Sequence, residues 1–266
     1  MAARAIWKGV VRFGREKLGV KLYSAVQDRT IRFRLLHETD LVPVRQRMVD
    51  PRSEEPVEKE EVRKALAVSR ASFVVFDDEE LEKLEPEDSR DIEVLRFVDS
   101  EEIDHRWYSR AYYLAPEGAA GSYFALAAAL EQEGREGVAK WVMRKKEYVG
   151  SLRAVDGYLM LIVLRHADEV IAADQLDAPA GRELSRKEIA MAEQLISALE
   201  GSFDPSEYRD EYRERVMELI ELKAKGKKPK VTKFKPRKTD EGSLAGALEA
   251  SLKGAEKRRS AGGRGR

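Results

Sequence analysis

Residues 138–166 read VAKWVMRKKEYVGSLRAVDGYLMLIVLRH, and two runs rich in β-branched and aromatic residues are joined there by Asp156-Gly157. Asp-Gly between such runs predicts a tight hairpin turn, because glycine takes positive φ without steric cost. The second run, YLMLIVL from Tyr158, is almost wholly apolar, as expected of a strand buried on both faces. The first changes character midway. Val138, Trp141, Val142 and Met143 are apolar, and then Arg144, Lys145 and Lys146 put three cations in a row. A core strand that runs out into a basic cluster offers a rigid platform for an anion, and DNA phosphates are the commonest large one. Ordinary charge at a solvated strand end gives the same pattern, so the wider chain has to decide.

Upstream, residues 122–133 read as an alanine-rich apolar helix that packs on the sheet, and residues 91–97 and 112–114 as strands. Asp77-Asp78-Glu79-Glu80 opens a helix, with carboxylates at the positive end of its dipole, and follows a strand at residues 72–76. Residues 38–70 carry Pro43, Pro51, Pro56 and acidic runs, which predict an irregular excursion with short strands. Excursions of that length in a compact domain are usually functional or disordered. At the start, residues 5–14 and 19–24 read as strands. Residues 30–36 read as a third, with Ile31, Phe33 and Leu35 on one face and Arg32 and Arg34 on the other. Downstream, residues 185–200 form an amphipathic helix ended by Gly201, and Asp204-Pro205 starts another with Tyr208, Tyr212, Val216, Leu219 and Ile220 in one stripe. Helices that follow a sheet instead of alternating with it predict a helical arm on a β domain.

The 266 residues carry 49 Lys and Arg against 49 Asp and Glu, yet the zero net charge hides segregation. Residues 1–37 hold nine cations against two anions, residues 38–133 twelve against 25, residues 134–222 thirteen against 18, and residues 223–266 fifteen against four. Such blocks predict one face meant for a polyanion and another kept away from it. Lysine, proline and glycine at the density of residues 223–238 cannot bury a core, so the tail is expected to be a flexible polycation. Within it Leu244, Leu248 and Leu252 recur at helical spacing, as in a docking peptide.

With no cysteine there are no disulfides or thiolate metal sites, and a reducing cytoplasm is the expected compartment. No apolar run reaches the ~18 residues of a membrane span. His37, His105 and His166 lack metal-ligand spacing, and no GxSxG, Walker loop or dinucleotide fingerprint is present. Gly118-Ala119-Ala120-Gly121 lacks the Lys-Ser/Thr of a phosphate loop. No cofactor, metal or catalytic centre is expected.

Several segments, taken in order, resemble one family. RAIWKGVVRFG, GVKLYSA, IRFRLLH, SRDIEVLRFVDSEEID, YYLAPEG, the stretch 138–166, ELSRKEIAMAEQLISALEGSFDPSEYRDEYRERVMELIELKAKG and SLAGALEASL are together similar to bacterial Ku, the DNA-end-binding protein of double-strand-break repair. The resemblance implies a mainly β fold with helices. A Ku-like β-barrel core spans residues 1–182 with a bridge insertion at about 38–71. A C-terminal helical arm follows at 183–222, then a basic flexible tail at 223–266 with a short docking helix at about 243–253. It further implies a homodimeric ring that DNA threads from a free end, and a tail that recruits the ATP-dependent DNA ligase of end joining. Many relatives carry a cysteine pair in the bridge; Met48-Val49-Asp50-Pro51 stand there in this chain, so no metal or thiol role is expected of that loop.

The expected backbone contacts are Arg29, Arg32, Arg34, Arg144, Lys145 and Lys146, with Arg45, Arg47, Arg63, Lys64 and Arg70 from the bridge and Lys227, Lys228, Lys230, Lys233 and Lys235 from the tail. Leu244, Leu248 and Leu252 are the expected ligase-docking residues. The expected function is sequence-independent binding of double-stranded DNA ends by a non-enzymatic, cytoplasmic, nucleoid-associated protein. Two other readings compete: an architectural DNA-coating protein with no end preference, and a nuclease whose acidic cluster is assembled by folding.

Overall fold

In the computed structural model, residues 4–70, 72–118, 120–177, 181, 183 and 185–227 are described. They form β1 (Trp7–Phe13), β2 (Glu16–Ser24), β3 (Lys64–Ser69), β4 (Ser72–Phe76), α1 (Asp78–Lys83), β5 (Asp91–Asp99) and β6 (Tyr108–Pro116). After these come α2 (Ala120–Glu133), β7 (Arg135–Met143), β8 (Lys146–Val155), β9 (Tyr158–Leu164), α3 (Arg186–Leu199) and α4 (Glu211–Ala224). Residues up to Leu176 make one compact unit and those from Asp177 a second.

The stretch 138–166 is three strands and two turns, where the sequence predicted two strands and one. Asp156 and Gly157 have φ of 52° and 77°, the doubly left-handed turn that Asp-Gly favours. Arg144 and Lys145 make a second turn of the same hand, with φ of 55° and 62°, and Lys146 opens β8. The cations therefore sit at a hairpin tip. The missed turn has a physical reason: no glycine, asparagine or aspartate marks it, and two ordinary side chains occupy a region that costs ~1–3 kcal/mol each.

Seven strands close into a barrel in the order β1-β2-β6-β9-β8-β7-β5. All neighbours are antiparallel except β1 and β5, which pair in parallel through Val10↔Asp91, Val11↔Ile92 and Arg12↔Glu93. Inside lie Val11, Val20, Leu22, Ile92, Leu114, Trp141, Leu152, Leu159 and Leu161, each at 2% exposure or less. Tyr123, Ala127 and Leu130 of α2 join the same apolar cluster, as the sequence predicted for a sheet-packing helix. Tyr123 stitches the helix to two strands: its hydroxyl donates to the Leu114 carbonyl and accepts from the Leu159 NH (2.8 Å). Gly150 is required by Trp141, whose ring would stand 2.6 Å from an added Cβ.

One carboxylate is buried in this frame. Glu136 is 1% exposed; the Tyr108 hydroxyl (2.9 Å) and the Ser151 hydroxyl donate to its Oε2, and Arg153 stands 3.3 Å from Oε1. Burial, then the Glu136 carboxylate, push the Tyr108 phenol up to about 12.

Two expectations for the chain ends are corrected. Residues 30–36 are not a strand; they run irregularly, because Asp28 captures both the Thr30 NH (2.9 Å) and Arg32 (2.7 Å) and turns the chain locally. Asp204-Pro205 opens only a single 3-10 turn, and α4 begins later, with the Asp210 carboxylate capping the Arg213 NH (2.9 Å). By contrast α1 and α3 start where their caps predicted, Glu80 accepting from the Asp77 NH (3.0 Å) and Ser185 exchanging hydrogen bonds with Glu188.

Candidate nucleic-acid interface

Register alone places the cationic elements together. β2 ends beside the start of β1 (Trp7↔Leu22), β5 starts alongside β1, and β7 ends where β5 begins (Ile92↔Trp141). Both feet of the segment 25–90 and the Arg144-Lys145 tip therefore emerge at one end of the barrel. Lys145 agrees with that placement by reaching Glu85 at 2.7 Å, a pairing that raises its pKa.

The segment 25–90 has no buried residue among those described. It is nevertheless built, from two loops of the same design. In the first, the His37 NH donates to the Val42 carbonyl and the Leu41 NH to His37, with Leu41 at φ 58° and Leu36 bridging Pro43. In the second, the Asp50 NH donates to Glu55 and the Glu54 NH to Asp50, with Glu54 at φ 59° and Val49 bridging Pro56. Each loop is tied by one carboxylate: Asp40 accepts from the His37 ring and the Val42 NH, which hold its pKa down, and Asp50 accepts from the Arg52 NH. These local bonds satisfy the backbone without a core.

The first loop's ladder runs through 37/42, 36/43 and 35/44. Arg34 and Arg45 flank its open end; neither makes an ion pair with a described residue, and both are exposed.

The other expected contacts divide by partner. Arg47, Arg70 and Arg144 are exposed and make no ion pair with a described residue, and Arg29 is exposed. Arg32 is taken by Asp28, which Thr30 and then Arg32 hold well below the usual carboxylate range. Lys64 pairs with Asp78 at 2.8 Å, and Arg63 donates to the Glu60 carbonyl at 2.8 Å. Lys146 lies 5.6 Å from the Tyr148 ring. Lys227 follows α4 and is exposed. Lys228, Lys230, Lys233, Lys235, Leu244, Leu248 and Leu252 lie outside the described residues. Sequence reasoning missed the repeat in HETDLVP and DPRSEEP, whose shared signal is a proline six residues after the first polar side chain.

Among the described residues, half of the exposed large apolar ones also fall in this segment, including Phe33, Leu35, Leu41, Val44, Met48 and Val49. The β3–β4 hairpin is a separate two-stranded sheet with Leu66 and Val74 on one face and Phe73 and Val75 on the other, all exposed. A two-stranded sheet with two apolar faces is marginal alone.

A closed barrel with a long, cation-bearing arm inserted before its third barrel strand is a Ku-type β-barrel domain. Residues 12–193 match the Ku70/Ku80 beta-barrel domain family. A non-homologous end joining protein Ku from Anaeromyxobacter sp. (strain K) is 38% identical over 96% of this chain and 87% of its own. Non-homologous end joining protein Ku 2 of Geotalea uraniireducens (strain Rf4) is 38% identical over 95% and 99%. The Archaeoglobus fulgidus relative, also named non-homologous end joining protein Ku, is 35% identical over 94% and 98%. The chain belongs to the Ku family.

Proposed function

We propose that this protein binds the ends of double-stranded DNA without regard to sequence and acts in non-homologous end joining, as its relatives are named. It does so as a non-catalytic homodimer whose two arms close around the duplex, and its tail recruits the ATP-dependent ligase of the pathway. It works in the cytoplasm, on the nucleoid. The observation that carries this reading is the set of exposed arginines Arg34, Arg45, Arg47 and Arg70 on an arm without a core, none of which makes an ion pair with a described residue. An arm that leaves these guanidiniums without a described carboxylate is suited to an outside polyanion. The apolar residues exposed along the same arm support the dimer, because a surface of that kind calls for a partner and a second copy carries its complement.

Competition in a gel shift tests the reading. Labelled linear duplex is challenged with unlabelled linear duplex or a closed circle of the same sequence, at fixed salt. Strong competition by the linear DNA alone is expected. Equal competition by the circle would replace end binding by internal, architectural coating. Magnesium-dependent cleavage of either substrate would overturn the non-catalytic assignment.

A further inference from the structure

At the barrel end from which the arm emerges, a cleft of about 490 Å³ opens between the start of β1, the approach to β5 and the β7–β8 tip. Its volume falls within the ~300–1,000 Å³ of small-molecule sites, which favour barrel mouths. Trp7, Val142 and Met143 supply an apolar wall, and Lys8, Arg90 and Arg144 the positive charge, against the single carboxylate of Asp88. Lys8 is already held by Glu117 at 2.6 Å. Arg90 and Arg144 make no ion pair with a described residue. Gly9 leaves the Trp7 ring room to lie against the backbone, within 2.1 Å of where a Cβ would stand. Arg144 lines the cleft from the β7–β8 turn, where its backbone has φ 55°.

We infer that this cleft is a site for a free nucleoside polyphosphate, distinct from the arm surface that grips DNA. A flat base fits the indole wall, since stacking on an aromatic ring tolerates any base. The two guanidiniums supply charge-assisted, fork-shaped donors for the phosphates. Asp88 sets the balance, leaving room for an anion without making the cleft a general polyanion sink. The inference goes beyond the DNA-binding proposal, sharing only Arg144 with it.

Isothermal titration of the full chain with ATP, with inorganic triphosphate and with adenosine tests it, alongside tryptophan fluorescence. ATP is expected to bind saturably, triphosphate more weakly and adenosine not measurably. Arg90→Ala should weaken ATP by about tenfold or more, the value of a charged hydrogen bond. Trp7→Phe should abolish the fluorescence change while the heat persists. The Arg34→Ala/Arg45→Ala protein should keep its ATP affinity and lose DNA affinity. No saturable heat with ATP overturns the site. So does a loss of ATP binding in Arg34→Ala/Arg45→Ala with none in Arg90→Ala, since ATP would then be competing only for the DNA surface. Normal DNA binding by Arg90→Ala separates either failure from a failure of the DNA-binding proposal.

Discussion

The barrel and the arm are made from the same chain by opposite means. The barrel is ordered by burial: its core residues are sealed, and several of its surface cations are matched by carboxylates, as in Lys8–Glu117 (2.6 Å), Arg12–Asp91 (2.6 Å) and Lys140–Glu147 (3.5 Å). The arm is ordered by local hydrogen bonds, leaving its apolar side chains in water and Arg34, Arg45, Arg47 and Arg70 without carboxylates among the described residues. The difference teaches where interaction resides. Charge that a fold neutralises serves the fold, and charge it leaves bare is available to something else.

The comparison breaks most sharply at the core. Leu161→Ala should cost ~3 kcal/mol of unfolding free energy, while Leu41→Ala in the arm should stay within ~0.5 kcal/mol, both read from urea unfolding of dilute protein. Equal losses would mean that the arm has a core of its own.

Glu136→Gln comes next. It leaves Arg153 facing an uncharged partner and should cost about 2 kcal/mol. The same substitution moves a titration. Tyr108 is neutral in the folded state up to about 12, whereas an unfolded tyrosine ionises near ~10. The folded protein therefore keeps a proton that the unfolded chain loses, so this contribution is fully present below ~10 and lost as pH rises toward about 12. Ultraviolet titration of Glu136→Gln should show the Tyr108 phenol ionising at lower pH than in the parent.

The hairpin tip sharpens the contrast, because there the barrel carries exposed cations at a backbone cost. Replacing Arg144-Lys145 by Asn-Gly, the pair its turn prefers, should raise stability by ~1 kcal/mol and weaken DNA binding. Higher stability with unchanged DNA affinity would remove both side chains from the interface.

Smallest in stability is the arm's own pair. Arg34→Ala/Arg45→Ala should leave unfolding within ~0.5 kcal/mol of the parent. It should flatten the salt dependence of DNA affinity by ~0.9 for each phosphate no longer neutralised. A slope that does not move would show that the pair faces something other than phosphate.

The Asp-Gly turn, the apolar β9, the capped helices α1 and α3 and the family itself were legible in the amino-acid sequence. Each depends on neighbours in the chain: glycine at a left-handed position, a carboxylate three residues from a free NH, motifs in a fixed order. The Arg144-Lys145 turn and the irregular course of residues 30–36 were not. A one-dimensional reading assigned Arg32 and Arg34 to one strand face. Folding gives Arg32 to Asp28 and leaves Arg34 exposed, without a carboxylate among the described residues. Sequence by itself determined most of the barrel's strands and the store of positive charge, because burial periodicity and composition are properties of the chain. Only the tertiary structure decided which cations remain bare and which end of the barrel they share, because neutralisation depends on which carboxylate lies within reach in space.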